Sequence, residues 1–327
     1  MKVITVEEHF SPIAVPGVEL PKGGLPPLEK GTNVGAAWLD DPSTGGEIGP
    51  KRIAHMDEDG VTVQIVSTPF AQGFGPDVAV DYCTKINNFL AEKISAYPDR
   101  LKGFASLPTA VPEACPGELE RCVKEFGFLG ALIGNRVNGG FLCEPEFDPL
   151  LAKAEELDVP IFVHPGEPPQ GVVDLCYSKG LAPEVVSSFK RFGYGWHVDP
   201  GIHFLNLMLR GVFDRHPNLQ IILGHWGELL PYYIDRFDET LSGDFAGMKH
   251  NPSYYLTHNL YVTPSGIWTP ECLEFCVKRI GVERIVFSID YPFANPKGAD
   301  KILNAPFLSE EERELIAHGN AERLFKI

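Results

Sequence analysis

Positive charge, paired cysteines and long apolar runs are all scarce in this chain, and each shortage removes a class of function. Its 28 lysines and arginines stand against 44 aspartates and glutamates, a formal charge of -16. With no basic stretch to neutralise phosphates, a nucleic-acid binder is excluded. No apolar run reaches the length needed to span a bilayer, and the first strand starts at residue 2 with no signal peptide before it. The seven cysteines, Cys83, Cys115, Cys122, Cys143, Cys176, Cys272 and Cys276, are odd in number and contain no CxxC pair. They read as reduced thiols, not as disulfides or a thiolate metal site. The expectation is a cytoplasmic protein without membrane or nucleic-acid partners. Low-complexity tracts are also missing, and so is a glycine-rich nucleotide turn after the first strand.

What is present is an ordinary globular composition, 44% hydrophobic and 22% charged, over 327 residues. That length allows one large α/β barrel with long insertions or two smaller domains. Strand and helix signals alternate along it. After Val3-Ile4-Thr5-Val6, residues 11–50 are rich in Pro and Gly and read as a long loop. A helical segment from Lys51 stops at Gly60, and a β-branched run follows from Val61 to Thr68. Further strands are expected at Gly103–Leu107, Leu129–Ile133, Val159–His164, Leu219–His225, Tyr254–Val262 and Arg284–Asp290. Helices are expected between them at about 78–97, 111–126, 147–157, 201–215, 228–241 and 270–280. Residues 165–198 read as a second insertion, and two helical segments, Ser309–His318 and Asn320–Phe325, close the chain. Eight strands separated by helices predict a distorted (β/α)₈ TIM barrel, a single domain over 1–327 with loop insertions after strands one and five. A doubly wound open sheet would carry a nucleotide-binding glycine turn where Glu7-Glu8-His9 stands.

Four of the strands end in a side chain able to bind a metal. The first runs into Glu7-Glu8-His9-Phe10, and strand alternation puts Glu7 and His9 on one face and Glu8 on the other. The others lead to His164, His225 and Asp290. Each has a plain explanation alone: a loop histidine, a turn-opening aspartate before Tyr291-Pro292, a solvated acid. Together they fall at the carboxyl ends of different strands, where a barrel builds its active site. His55, His203 and His318 sit in expected helices, His216 at a helix end, and His197, His250 and His258 in loops or at a strand start. These read as structural.

The motifs Glu7-Glu8-His9-Phe10, Val163-His164-Pro165, Leu223-Gly224-His225-Trp226-Gly227-Glu228-Leu229-Leu230-Pro231-Tyr232, Phe287-Ser288-Ile289-Asp290-Tyr291-Pro292-Phe293 and the ending Asn320-Ala321-Glu322-Arg323-Leu324-Phe325 resemble those of metal-dependent decarboxylases of the amidohydrolase superfamily. The likeness to the gamma-resorcylate (2,6-dihydroxybenzoate) and related hydroxybenzoate decarboxylases covers nearly the whole chain. It implies that Glu7, His9, His164 and Asp290 bind one divalent ion, with His225 beside it. Two carboxylates and two imidazoles suit Zn²⁺ or Mn²⁺.

The function implied is non-oxidative decarboxylation of a small aromatic carboxylic acid, a reaction that can run in reverse, by a homo-oligomer (dimer or tetramer). Asp290 is then the proton donor to the ring, with His225 as the alternative. Glu228 would orient a histidine, or would simply be a first-turn helix acid. Phe10 and Phe293 could clamp a ring or be core. Arg236 could hold a carboxylate or pair with a local acid. A metal-dependent hydrolase of a lactone, ester or amide would need the same ligands. A non-catalytic binding protein would be expected to have lost one of them, and none is lost.

Overall fold

The computed structural model describes residues 1–12, 15–18, 47–69, 74–137 and 139–327. Short β-rich runs form the strands β1 (Ile4–His9), β2 (Val63–Ser67), β3 (Leu101–Gly103), β4 (Ala105–Ser106), β5 (Ala131–Gly134), β6 (Ile161–His164), β7 (Ile221–Leu223) and β8 (Leu260–Val262). These strands pair in parallel, in the orders β1-β2-β3 and β4-β5-β6-β7-β8. β3 and β4 form one stave interrupted at Phe104, whose N–H donates to Val66 O at 3.0 Å. Residues 285–290 supply the last stave. Val286 N–H donates to Val262 O (3.0 Å) on one side and Val6 N–H to Phe287 O (3.1 Å) on the other. The ring closes there, and the fold is the expected (β/α)₈ barrel.

Two apolar layers follow from the period of the strands. Ile4, Val6, Val63, Ile65, Phe104, Leu132, Phe162, Ile222, Tyr261 and Val286 pack together inside the ring, with Leu324 and Phe325 beneath them. The opposite faces, among them Val66, Ala131, Val163 and Leu223, pack against the helices. Parallel strands covered on both faces are apolar throughout, which is why they read as continuous runs in the sequence.

β1 breaks this period once. Ile4 and Thr5 pair with Val63 and Gln64, but Glu8 and His9 pair with Val66 and Ser67, so β1 carries one residue more than β2 over the interval. Strict alternation from Val6 would turn Glu8 inward. The bulge instead brings Glu7 and His9 to the inner side of the rim, as bulges at barrel rims commonly re-aim a side chain. Glu8 is no solvated acid. It is fully buried and accepts from Ile289 N–H (2.9 Å) and Tyr291 N–H (3.1 Å), clipping β1 to the last stave.

Several element boundaries differ from expectation. The stretch Tyr254–Val262 is a helix, Pro252–His258, before the short β8. Pro252 takes the first helical position, where a missing N–H has no cost, and this outweighs the β-propensity of the aromatic run. Most of 11–50 lies outside the described residues. Within 165–198 the chain is helical at Pro183–Lys190 and again from Gly195, where the helix Gly195–Leu209 begins well before the expected 201. The segment 228–241 is a 3₁₀ turn, Leu230–Tyr233, and a helix, Ile234–Thr240.

His203, on the buried face of Gly195–Leu209, ties this helix to the loop after β5. Its Nδ1–H donates to Asn135 O (2.7 Å), and its Nε2 accepts from Leu142 N–H (3.0 Å), so the ring is neutral. Burial, reinforced by Arg136 and opposed by the Asn135 carbonyl, pushes its pKa down to about 4. A depressed pKa means that stability present above the unfolded value near 6.5 is lost as pH falls toward 4. Denaturant titrations should show this histidine costing on the order of 2 kcal/mol between pH 7 and 5. His203→Gln, less stable at pH 7, should lack that part of the slope. Equal slopes in the two proteins would contradict the assignment.

Candidate metal centre and active site

Glu7, His9, His164 and Asp290 converge at the carboxyl end of the barrel, each offering an atom within 4.8 Å of the others. They come from β1, β6 and the last stave, where Val286, Ser288 and Asp290 share the inward face by alternation. Glu7, His9 and His164 are each held by one atom and leave another free. Glu7 Oε2 accepts from Thr263 Oγ1 (3.1 Å) and Ser265 Oγ, with Ser288 Oγ at 3.5 Å. His9 Nδ1 meets Ser67 Oγ at 3.1 Å. His164 Nδ1–H donates to Pro165 O at 2.7 Å. Glu7 Oε1, His9 Nε2 and Asp290 Oδ1 are buried without a hydrogen-bond partner. His9 Nε2 lies 3.4 Å from Asp290 Oδ1, and His164 Nε2 lies 4.0 Å from Glu7 Oε1.

Orphaned buried polar atoms are rare and costly, and here three of them face one another. A divalent cation satisfies all three. The ionisation of the side chains agrees with this. Burial, helped by Arg52 and His225, pushes His9 down to about 3, and burial with His9 takes His164 well below its usual range. Both imidazoles are therefore neutral, the form that binds metal. Burial, then the charge of Asp290, pushes Glu7 well above the carboxylate range, and burial raises Asp290 although His197 opposes it. A bound cation reverses that penalty. The oxygen and nitrogen donor set, with no thiolate, suits Zn²⁺ or Mn²⁺.

Space for Glu7 depends on Gly224 at the end of β7. A Cβ there would lie 2.8 Å from Ser265 Oγ and 3.2 Å from Glu7 Oε1. The chain then makes an unusual turn. His225, Trp226, Gly227, Glu228 and Leu229 all have positive φ, from 48° to 78°. Glu228 is therefore not a first-turn helix acid. Its Oε1 accepts from His225 Nδ1–H (2.8 Å) and its Oε2 from His197 Nδ1–H (3.1 Å). A carboxylate only accepts, so both Nδ1 atoms carry the protons and His225 keeps an unprotonated Nε2 when neutral. Burial lowers the pKa of His225, and Glu228 opposes this. Burial opposes ionisation of Glu228, yet the two histidines hold it below the usual range. Burial would also lower His197, but the hydrogen bond and charge of Glu228 leave it raised.

The aromatic and cationic candidates fare differently. Phe293, half-buried, has its ring centroid 5.6 Å from that of His9. Phe10 is fully buried against Phe89 in the outer layer, a core residue. Arg236 is exposed and pairs with Glu239 (3.2 Å), the local ion pair that was its alternative reading. His197, structural by its sequence position, instead reaches Glu228. No local pattern marks it, because 31 residues separate the pair.

Metal analysis of purified variants tests this geometry. His164→Ala and Glu7→Gln should lose most bound metal while circular dichroism shows a folded barrel. Glu8→Gln, which disturbs only the clip to Ile289 and Tyr291, should retain it. Retention in Glu7→Gln with loss in Glu8→Gln would mean that the faces of β1 are reversed.

Comparison with known proteins gives a consistent result. The amidohydrolase family model matches residues 35–327. The decarboxylase orsB of Emericella nidulans is 38% identical over 288 residues, covering 86% of this chain and 86% of that protein. The gamma-resorcylate decarboxylase of Polaromonas sp. strain JS666 is 33% identical, covering 99% of this chain and 98% of its own. A crystal structure of dihydroxybenzoic acid decarboxylase from Polaromonas sp. JS666, with bound manganese and the inhibitor 2-nitroresorcinol, is 31% identical and superposes with a TM-score of 0.83 over 99% of this chain and 97% of that one. A family model matched over residues 35–327, and a relative 33% identical over 99% of the chain, leave one assignment: the chain belongs to the amidohydrolase family, among its metal-dependent carboxy-lyases.

Proposed function

We propose that this carboxy-lyase releases CO₂ from a 2-hydroxybenzoate-type acid at the Glu7, His9, His164 and Asp290 cluster. The observation that carries the reading is the set of three unpartnered, buried ligand atoms beside a histidine–glutamate pair, in a chain whose relatives are named as decarboxylases of such acids. When bound, one divalent ion supplies Lewis acidity and a template for the carboxylate and ortho-hydroxyl oxygens of the substrate.

The remaining chemistry belongs to side chains. Phe293, against His9, offers a ring face to an aromatic acid. His225, with Nδ1–H committed to Glu228, can accept the hydroxyl proton at Nε2. Asp290 stands among the ligands and is the group assigned to protonate the ring carbon that bears the carboxylate. The ring–carboxylate bond then breaks, its electron pair restores the aromatic ring and CO₂ leaves; the product phenolate recovers the proton held by His225, and Asp290 takes one proton from solvent before the next cycle. His225 is the alternative donor.

The finer features of this reading have their own support. The donor set favours Zn²⁺ or Mn²⁺ as the ion. Exposed Tyr232, Tyr233 and Phe275, with neighbouring rings at 5.1 and 6.1 Å, favour a homo-oligomer. Seven free cysteines, five of them buried, favour the cytoplasm, and among the described residues no helix is long and apolar enough to cross a membrane.

Turnover of a salicylate-type panel in D₂O tests the reaction. One deuterium should appear on the phenolic product at the carbon that lost CO₂. Benzoate, which lacks the chelating and electron-donating hydroxyl, should be inert, and Asp290→Asn should stop turnover even where metal remains. CO₂ release that survives Asp290→Asn but not His225→Asn would transfer the donor role to His225. Hydrolysis of esters or lactones with no CO₂ from any hydroxybenzoate would sink the decarboxylase reading.

A further inference from the structure

His197 lies outside every motif that points to the metal cluster, yet it occupies half of Glu228. It sits in the first turn of the helix Gly195–Leu209, 28 positions before His225 in the chain, and its ring centroid is 4.3 Å from that of His225. The two imidazoles lie side by side and each takes one carboxylate oxygen of Glu228, at 3.1 and 2.8 Å. The far edge of His197 is also anchored. Its Nε2 lies 3.1 Å from Phe192 O and 3.1 Å from the indole Nε1 of Trp196. Trp196 in turn faces His164 edge-on at 6.2 Å.

Glu228 needs such an anchor. Its φ of 49° lies in a run of five residues in the left-handed region, where a non-glycine residue is strained. With one oxygen unclamped, the carboxylate could turn about its last torsion and release His225 Nδ1–H. The His225 ring would then lose both its orientation and the tautomer that leaves Nε2 unprotonated.

We infer that His197 is a positioning residue: it clamps the second oxygen of Glu228 and so fixes the His225 ring for the reaction. The inference rests on the decarboxylase reading for its kinetic consequence but not for its geometry. Its effect passes through Glu228, without contact with the substrate or the metal.

Two variants separate the hydrogen bond from the packing. His197→Phe keeps a ring of similar size and loses the donor. His197→Asn loses the ring but places an amide N–H near the position of Nδ1. The Phe variant should lower kcat about 10- to 100-fold, the usual scale for a residue supporting a reacting group, with KM and one metal ion per chain unchanged. The Asn variant should recover most of that loss. A second readout needs no substrate. In Zn²⁺-loaded, ¹⁵N-histidine-labelled protein, the exchange-protected Nδ1 proton of His225 should be seen in wild type and His197→Asn and be lost to solvent exchange in His197→Phe. The reverse order, with Phe active and Asn inactive, would make His197 a packing residue and overturn the inference. So would an unchanged His225 proton in the Phe variant. Two metal ions per wild-type chain, falling to one in His197→Phe, would make the His197, His225 and Glu228 group a second metal site and also overturn it. If wild type releases no CO₂ from any hydroxybenzoate, the decarboxylase reading fails while the His225 proton still decides the role of His197.

Discussion

Two carboxylates and two neutral imidazoles are buried at one end of the barrel with lone pairs aimed at a common point. Desolvation opposes both carboxylate charges, and each charge opposes the other. This concentration of unpaired acceptors is a debt that packing cannot settle, because apolar contact does nothing for a buried oxygen. The structure around the site therefore places hydroxyls and a carbonyl on the far edges of Glu7, His9 and His164. Thr263, Ser265 and Ser288 hold Glu7, Ser67 holds His9, and the Pro165 carbonyl holds His164. What remains free on each is the atom that a cation would take, and its direction is set before any ion arrives.

The outer side of the same rim is equally well tied. Arg52, fully buried, donates through Nη2 to the His9 carbonyl (2.6 Å), through Nη1 to Gln64 Oε1 (3.1 Å) and through Nε to Glu47 O (3.0 Å). Its guanidinium lies over the Tyr291 ring, 4.8 Å from the centroid. Glu8 reaches the backbone of Ile289 and Tyr291 from β1. Arg52 and Glu8 thus join the ends of the first and last staves, which carry three of the four ligands. The ring closes at the point where the site must be most rigid.

Beside this centre the turn 225–229 stores backbone strain, and a histidine on each carboxylate oxygen of Glu228 holds it in place. A cluster of candidate metal ligands with its own supports and a separately supported histidine fit the proposed division of labour, one holding oxygens and the other handling protons. A catalyst for exchanging CO₂ and a proton at one ring carbon needs both.

Much of this was legible in the chain. Apolar runs at regular spacing, each closed by a helix signal, specify a parallel barrel because such strands are buried on both faces. Strand-end positions of Glu7, His9, His164 and Asp290 identified the cluster, since alternation is local and the barrel gathers carboxyl ends. The pairing of Glu7 with His9 against Glu8 also followed from alternation. That this pair faces inward did not: it depends on one extra residue in β1, visible only once β1 is paired with β2. The core position of Phe10 was likewise decided by packing, whereas the surface ion pair of Arg236 and the helix begun by Pro252 have local causes. His197 is the clearest case. Its partner is distant in sequence, its motif is empty, and only the docking of the helix Gly195–Leu209 over the end of β7 brings an imidazole to the free oxygen of Glu228. Local periodicity is written in consecutive residues, whereas a contact between elements exists only after both have been placed.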